Sequence, residues 1–84
     1  MKFKAQVIVR LKKSVLDPQG AAVERALKSH GHGGLESVRI GKIVELELEG
    51  ESVQSVEARV AAWADRLLAN PILETFTVTV EERP

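Results

Sequence analysis

The sequence predicts an α+β chain: a ferredoxin-like βαββαβ two-layer sandwich, with an antiparallel sheet carrying two helices on one face. Three observations lead there. Apolar residues alternate with polar ones near both ends and in the middle of the chain, the period of a half-buried strand. Two intervening segments repeat apolar residues at spacings of three and four, the period of a helix. Capping residues and breakers separate the segments. With 84 residues the chain forms one domain, 1–84, and a core this small is thin.

Each element follows from local chemistry. In residues 2–12, Phe3, Ala5, Val7, Val9 and Leu11 share one face of a strand. Asp17 then stands where a helix N-cap belongs. Pro18 follows at the first helical position, where its missing N–H costs nothing. Ala22, Val23, Ala26 and Leu27 make the stripe of this helix, and Glu24 and Lys28 form an i,i+4 pair. The run His30-Gly31-His32-Gly33-Gly34 ends it. Leu35 to Ile40 reads as a second strand. Ile43 to Glu49 reads as a third, with Val44, Leu46 and Leu48 on one side and Glu45, Glu47 and Glu49 on the other. Gly41-Lys42 between them fits either a hairpin turn or a bulge in one long strand. Ser52 caps a second helix reaching Ala69, with the stripe Val53, Val56, Val60, Trp63, Ala64 and Leu67, and Asn70-Pro71 stops it. Thr75 to Glu81 is the last strand, with Phe76, Val78 and Val80 facing in.

Twelve basic and twelve acidic side chains cancel, which argues against a nucleic-acid binder. The cancellation hides an asymmetry: residues 1–30 carry a net +5 and residues 31–84 a net −5. In a ferredoxin-like strand order the first and third strands are neighbours. Lys4, Arg10 and Lys12 are then expected beside Glu45, Glu47 and Glu49, so that most of the charge is paired within the chain. Ile8 and Ile43 fall on that same charged face. Apolar residues amid matched charges are expected to form a homo-oligomer interface.

The chain is poor in catalytic chemistry. It has no cysteine, hence no disulfide, thiolate zinc site or Cys nucleophile. His30 and His32 lack the further ligands of a zinc site, and no GK[ST] follows the glycines to make a phosphate loop. The three glutamates alternating along a strand read as a solvated face, and Trp63 as core. No apolar run is long enough for a membrane span or a signal peptide. The expected protein is cytoplasmic, with no nucleic-acid or membrane partner, and with no catalytic, cofactor or metal residues of its own.

Three stretches carry a specific signal. They are Lys12-Lys13-Ser14-Val15-Leu16-Asp17-Pro18-Gln19-Gly20, then Val38-Arg39-Ile40-Gly41-Lys42 with Glu45-Leu46, then Leu67-Leu68-Ala69-Asn70-Pro71 with Glu74. In this order and spacing they resemble the PurS family, the small subunit of phosphoribosylformylglycinamidine (FGAM) synthase. The resemblance covers about residues 2–80 and is poorest at Gly31–Gly34.

What the resemblance implies is a place in the fourth step of de novo purine synthesis. There formylglycinamide ribonucleotide, glutamine, ATP and water give FGAM, glutamate, ADP and phosphate. The family's glutaminase subunit, PurQ, releases ammonia. Its synthetase subunit, PurL, binds ATP and magnesium and performs the amidation. PurS is required but has no active site; it brings the two together and supports ammonia transfer, and it forms dimers or tetramers. Asp17, Pro18, Gln19, Gly20, Arg39, Gly41 and Lys42 are then expected to be partner-contact or interface residues, together with Ile8 and Ile43. Pro18 and Gly20 would shape the backbone, and Arg39 and Lys42 would supply charge-assisted hydrogen bonds. The alternative is a stand-alone regulatory domain that binds a small ligand such as an amino acid.

Overall fold

A computed structural model describes residues 1–31 and 33–84. Its elements are β1 (Lys2–Leu11), α1 (Pro18–Ser29), β2 (Gly41–Glu49), α2 (Val53–Trp63), a π-helical turn over Ala64–Leu68, and β3 (Glu74–Arg83). The sheet is antiparallel with order β2-β1-β3. This is the expected α+β layout, with β1 at the centre.

The alternation read from the sequence sets the two faces of the sheet. Phe3, Ala5, Val7 and Val9 are fully buried on the inner face and meet Val56, Val60 and Ala64 of the second helix. Burial of each Val or Phe side chain contributes about 1.5–3 kcal/mol. Val44, Leu46 and Leu48 of β2 and Phe76, Val78 and Val80 of β3 flank this core half-buried.

The helix ends are built as predicted. Asp17 caps α1 with Pro18 at its start, and Ser52 caps α2 in a reciprocal box with Ser55. Helix α2 runs on into the π turn, closed by Ala69 N–H donating to Ala64 O at 2.9 Å. Asn70 then organises the stop: its Oδ1 accepts from Ile72 N–H at 3.0 Å, and its own N–H donates to Glu74 Oε1 at 2.7 Å. Trp63 is half-buried against the core, with the Arg59 guanidinium 5.3 Å from its ring centre. His32, named above with His30, lies outside the described residues.

Leu67, expected on the inner stripe of the second helix, lies in the π turn and is 81 % exposed. Three larger features also differ from expectation. Leu35–Ile40 forms no ladder in the sheet. Gly41 is neither a turn nor a bulge; it is the first residue of β2, paired with Arg10. The chain therefore enters β2 without a hairpin, and residues 35–40 stay beyond the end of the sheet.

The second difference concerns α1, which follows the same path. The sheet packs on α2, whereas α1 stands off it, and its stripe of Ala22, Val23, Ala26 and Leu27 is exposed. Its inward side is Gly20, Ala21 and Glu24, turned toward residues 38–40. The molecule is accordingly long, 50 × 30 × 15 Å. Its radius of gyration is 16.3 Å, where a compact chain of this length has about 12 Å.

The third difference is in the charges. The register sets Lys2 against Glu49 and Lys4 against Glu47, but Arg10 faces Gly41 and Thr75, and Lys12 lies past the end of β1. Arg10 and Lys12 therefore do not lie beside the glutamates. The ion pairs among the described residues are Lys4–Glu45 at 4.0 Å, Lys28–Glu24 at 3.3 Å and Arg83–Glu47 at 3.0 Å. Only the first joins the basic and acidic parts of the chain. Exposed pairs of this kind contribute about 0–1 kcal/mol each, so the balance of charge is a property of the surface rather than a clamp inside the fold.

Candidate functional site

The residues singled out by the sequence converge where β1 ends, α1 begins and β2 starts. Pro18 holds Asp17 in extended geometry, which aims its carboxylate back over the first turn of α1. Oδ1 accepts from Gly20 N–H at 2.9 Å, and Oδ2 accepts from Ile40 N–H at 2.7 Å. One carboxylate thus caps the helix and ties it to a segment 23 residues away. Asp17 is the buried charged residue of the described chain, at 6 % exposure. Its pKa is lowered by the Gly20 amide first, then by the Ile40 amide, against the opposing effect of burial, with further help from the nearby Arg39 charge.

A second tie runs parallel to the first. Val38 N–H donates to Glu24 Oε1 at 3.2 Å. Arg39 reaches the other way: Nη2 donates to Leu11 O at 3.0 Å and Lys12 O at 2.9 Å, and Nη1 reaches Val15 O at 3.5 Å. Residues 38–40 are therefore bound by side chains on both sides. Glu24 is the member that sequence reasoning missed. Its i,i+4 spacing to Lys28 gave it a sufficient surface role, and no local pattern marks a contact to an amide 14 residues on.

Two glycines allow this closeness. A Cβ on Gly20 would stand 2.5 Å from Val38 O and 2.6 Å from Asp17 Oδ2, and one on Gly41 would stand 2.6 Å from Val9 O. Between the tied segments lies an open groove of about 300 Å³, lined by Val9, Leu11, Pro18, Gln19, Ile40 and Lys42 among others. Pro18, Gln19 and Lys42 are exposed on its rim. Asp17, Pro18, Gln19, Gly20, Arg39, Gly41 and Lys42 are thus one locus rather than two.

Ile8 and Ile43 lie on the outer sheet face as direct ladder partners, with Thr77 on the far side of Ile8. Ile43 is 60 % exposed. Sequence spacing places both on the charged face; the register adds that they lie directly opposite each other.

The carboxylate of the locus is held by amides and its guanidinium by carbonyls. Among the described residues no group of three His, Cys, Asp or Glu side chains is placed to hold a metal, and no helix is long and apolar enough to cross a membrane.

The depressed pKa of Asp17 has a testable sign. A carboxyl that is more acidic folded than unfolded contributes stability above its unfolded pKa, about 3.9. That contribution disappears as pH falls through the lower folded value. Melting temperatures followed from pH 7 down to pH 2.5 are expected to fall more steeply below about pH 4 for the natural chain than for Asp17→Asn. Parallel curves would remove Asp17 from the acid response.

The comparisons agree with this geometry. The family model for PurS, phosphoribosylformylglycinamidine (FGAM) synthase, matches residues 4–82. The Bacillus subtilis phosphoribosylformylglycinamidine synthase subunit PurS is 44 % identical over 80 residues, covering 95 % of this chain and 94 % of the relative. Thermus thermophilus PurS is 39 % identical with a TM-score of 0.87 over 100 % of both chains. A chain in the structure of PurLQS from Thermotoga maritima is 30 % identical with a TM-score of 0.86, covering 96 % of this chain and 99 % of that one. A family match over residues 4–82, with relatives similar over nearly the whole chain and of the same fold, means that this chain belongs to the PurS family of FGAM synthase subunits.

Proposed function

We propose that this chain acts as the adaptor subunit of an FGAM synthase, joining a PurL synthetase to a PurQ glutaminase and supporting ammonia transfer between them. The observation that carries the reading is the family match over residues 4–82; the Thermotoga maritima relative belongs to PurLQS. The site fits the role. Its buried carboxylate, Asp17, and its exposed Arg39 guanidinium are engaged within the chain, and what it offers outward is shape: a rim of Pro18, Gln19 and Lys42 around an apolar groove. Free ammonia protonates and diffuses away in water, so a subunit that closes an interface aids the reaction without any catalytic side chain. ATP and magnesium belong to the synthetase in this reading. The setting is the cytoplasm, and the working form is a homo-oligomer, dimer or tetramer. The outer patch of Ile8 and Ile43 is a contact between copies or with the larger subunits. The amino-acid-binding alternative has no observation in its favour.

Reconstitution tests it. With PurL and PurQ present, adding the chain is expected to restore glutamine-dependent FGAM formation, and the chain alone is expected to show none. Arg39→Ala releases the ties to the Leu11 and Lys12 carbonyls, charge-assisted hydrogen bonds of about 1.5–3 kcal/mol each, that hold residues 38–40 and the groove in shape, and Lys42→Ala removes the exposed cation of the rim. The affinity for the larger subunits is expected to fall at least about 10-fold, read by titrating the variant into the turnover assay. Unchanged assembly and turnover would remove these two residues from the interface.

A further inference from the structure

β3 is an edge of the sheet, and the two ends of β1 show which of its backbone groups are free. At one end the Met1 amino group donates to Gly50 O at 3.1 Å, and Gly50 N–H donates to Met1 O at 3.0 Å. Such a reciprocal pair recurs at every second residue of an antiparallel ladder. Phe3, Ala5, Val7 and Val9 therefore turn their backbone groups to β2, and Lys2, Lys4, Gln6, Ile8 and Arg10 turn theirs to β3. At the other end Lys12 N–H donates to Leu73 O at 2.8 Å, in step with this alternation. The partners of the second set are Arg83, Glu81, Thr79, Thr77 and Thr75. Phe76, Val78, Val80 and Glu82 accordingly aim their N–H and C=O groups away from β1, where no strand stands among the described residues. At the start of the strand the Glu74 N–H is already taken, by Asn70 O at 2.7 Å.

The same residues carry the apolar side chains of β3. Phe76, Val78 and Val80 are half-buried, because α2 covers them from one face and nothing continues the sheet beyond them. Open edges are ordinarily blunted by a lysine, a proline or a bulge. β3 reads ETFTVTVEER and has none of these; its register with β1 is unbroken from Glu74 to Arg83. An edge this regular is suited to being covered.

Charge narrows what covers it. Glu81 and Glu82 are exposed, and neither forms an ion pair among the described residues. A second copy of β3 fits them poorly. With Val78 on a two-fold axis, Glu74 falls opposite Glu82 at both ends, and like charges directly opposite are destabilising. With Thr79 on the axis, Glu82 falls opposite Phe76 on the apolar face. A strand that carries Lys or Arg at that end meets neither conflict.

We propose that the free edge of β3 takes an extended, basic segment of a larger subunit as an additional strand. Its main chain pairs with Phe76, Val78, Val80 and Glu82. Its apolar side chains complete the cover of the inner face, and its Lys or Arg lies beside Glu81 and Glu82. In strand addition the main chain supplies affinity and the alternate side chains supply selectivity. The inference rests on the adaptor reading and deepens it. The groove at Pro18 and Lys42 lies by the start of β2, whereas this edge runs along the far side of β1, which gives a joining subunit two separate surfaces.

Hydrogen exchange tests the edge without altering it. In the isolated chain the amides of Thr75, Thr77 and Thr79 are expected to exchange slowly, and those of Phe76, Val78 and Val80 fast. Exchange is then run in the complex with PurL and PurQ and read by NMR after the labelled chain is separated. The second set should slow by at least about 100-fold. Slow exchange of that set in the isolated chain would assign the edge to a second copy and overturn the proposal. Fast exchange retained in a complex that does form would overturn it too, with the adaptor reading intact. If no complex forms, the adaptor reading fails and this inference with it. Val78→Pro removes an outward N–H at an edge position, where proline is tolerated; Val78→Ala trims the packing and keeps the N–H. The proline variant is expected to bind the larger subunits at least about 10-fold more weakly than the alanine variant, and Glu81→Lys combined with Glu82→Lys to weaken binding most at low salt. Equal affinity of two folded Val78 variants would overturn the pairing, and indifference to the charge reversal would overturn the basic partner. Where the proline variant does not fold, the exchange pattern of the natural chain decides.

Discussion

Phe3→Ala is expected to destabilise the chain by about 3–5 kcal/mol, the range for emptying a fully buried aromatic site. Phe3 is the largest of the fully buried side chains and is 0 % exposed. It sits on the central strand, with Leu48 as its ladder partner on β2, and belongs to the one core that the second helix closes. A cavity here has little means of collapse, because Val56 and Val60 are fixed by their own helix. Domains of this size have a total stability of roughly 4–13 kcal/mol, so the loss takes about a quarter of it or more. In thermal melts by circular dichroism the midpoint should drop by about 15–30 °C. Phe76→Ala, at a half-buried site of the same sheet, should cost clearly less. Both are compared at one protomer concentration, since association adds to apparent stability. Equal losses would mean that the core is not centred on β1.

Such a core was legible from alternation alone. Phe3, Ala5, Val7 and Val9 announce one buried face, and the ladder buries those four. The caps at Asp17 and Ser52 were legible for the same reason: each depends on neighbours within three residues. What failed to show was long-range. Nothing local in Leu35–Ile40 distinguishes a strand within a sheet from an extended segment held by side chains. Its apolar spacing is a strand's either way. The choice is made by Gly41, which continues into β2, and by Asp17 and Glu24, which take the amides of Ile40 and Val38 from far along the chain. The stripe of α1 was likewise read correctly as apolar and given the wrong neighbour. Periodicity says that a face seeks cover, without saying whose surface provides it. The charges repeat the lesson. Composition gave opposite signs to the two parts of the chain, but the register, which composition does not contain, puts Arg10 against Gly41 and Thr75.

The candidate site divides along the same line. Gly20, Arg39 and Gly41 take their place in the site from a family pattern and not from any chemistry visible in their types; Asp17 is legible besides as a helix cap. The structure shows what binds them: a carboxylate shared between two amides, a guanidinium shared among backbone carbonyls, and two glycines where backbone passes backbone. Apart from the Asp17–Gly20 cap, none of this has the spacing of a local motif, because the partners come from different elements.

Gly20→Ala places that arrangement under direct strain. In an ordinary helix the change would stabilise by up to about 1 kcal/mol, since alanine is the better helix former. Here the added methyl would stand 2.5 Å from Val38 O and 2.6 Å from Asp17 Oδ2, well inside contact distance. Neither atom is free to retreat. The Asp17 carboxylate is held by the amides of Gly20 and Ile40, and Val38 is anchored to Glu24 through its own amide. The helix start must therefore move off residues 38–40, and overpacking of this kind costs about 1–3 kcal/mol. The net expectation is a melting temperature lower by about 5–15 °C. Assembly with the larger subunits should weaken as well, because the rim of Pro18 and Gln19 moves with the helix. Gly33→Ala is the control: its methyl meets nothing within 4 Å, so its stability should stay within about 0.5 kcal/mol. The two effects also separate by their coupling. Asp17→Ala removes one of the two atoms the methyl would strike, so Gly20→Ala should cost less in that background than in the natural chain, a deviation from additivity that a double-mutant cycle reads directly. A Gly20→Ala chain as stable as the natural one would mean that α1 and residues 38–40 are not pressed together, and that the groove between them is not a fixed shape for a partner to recognise.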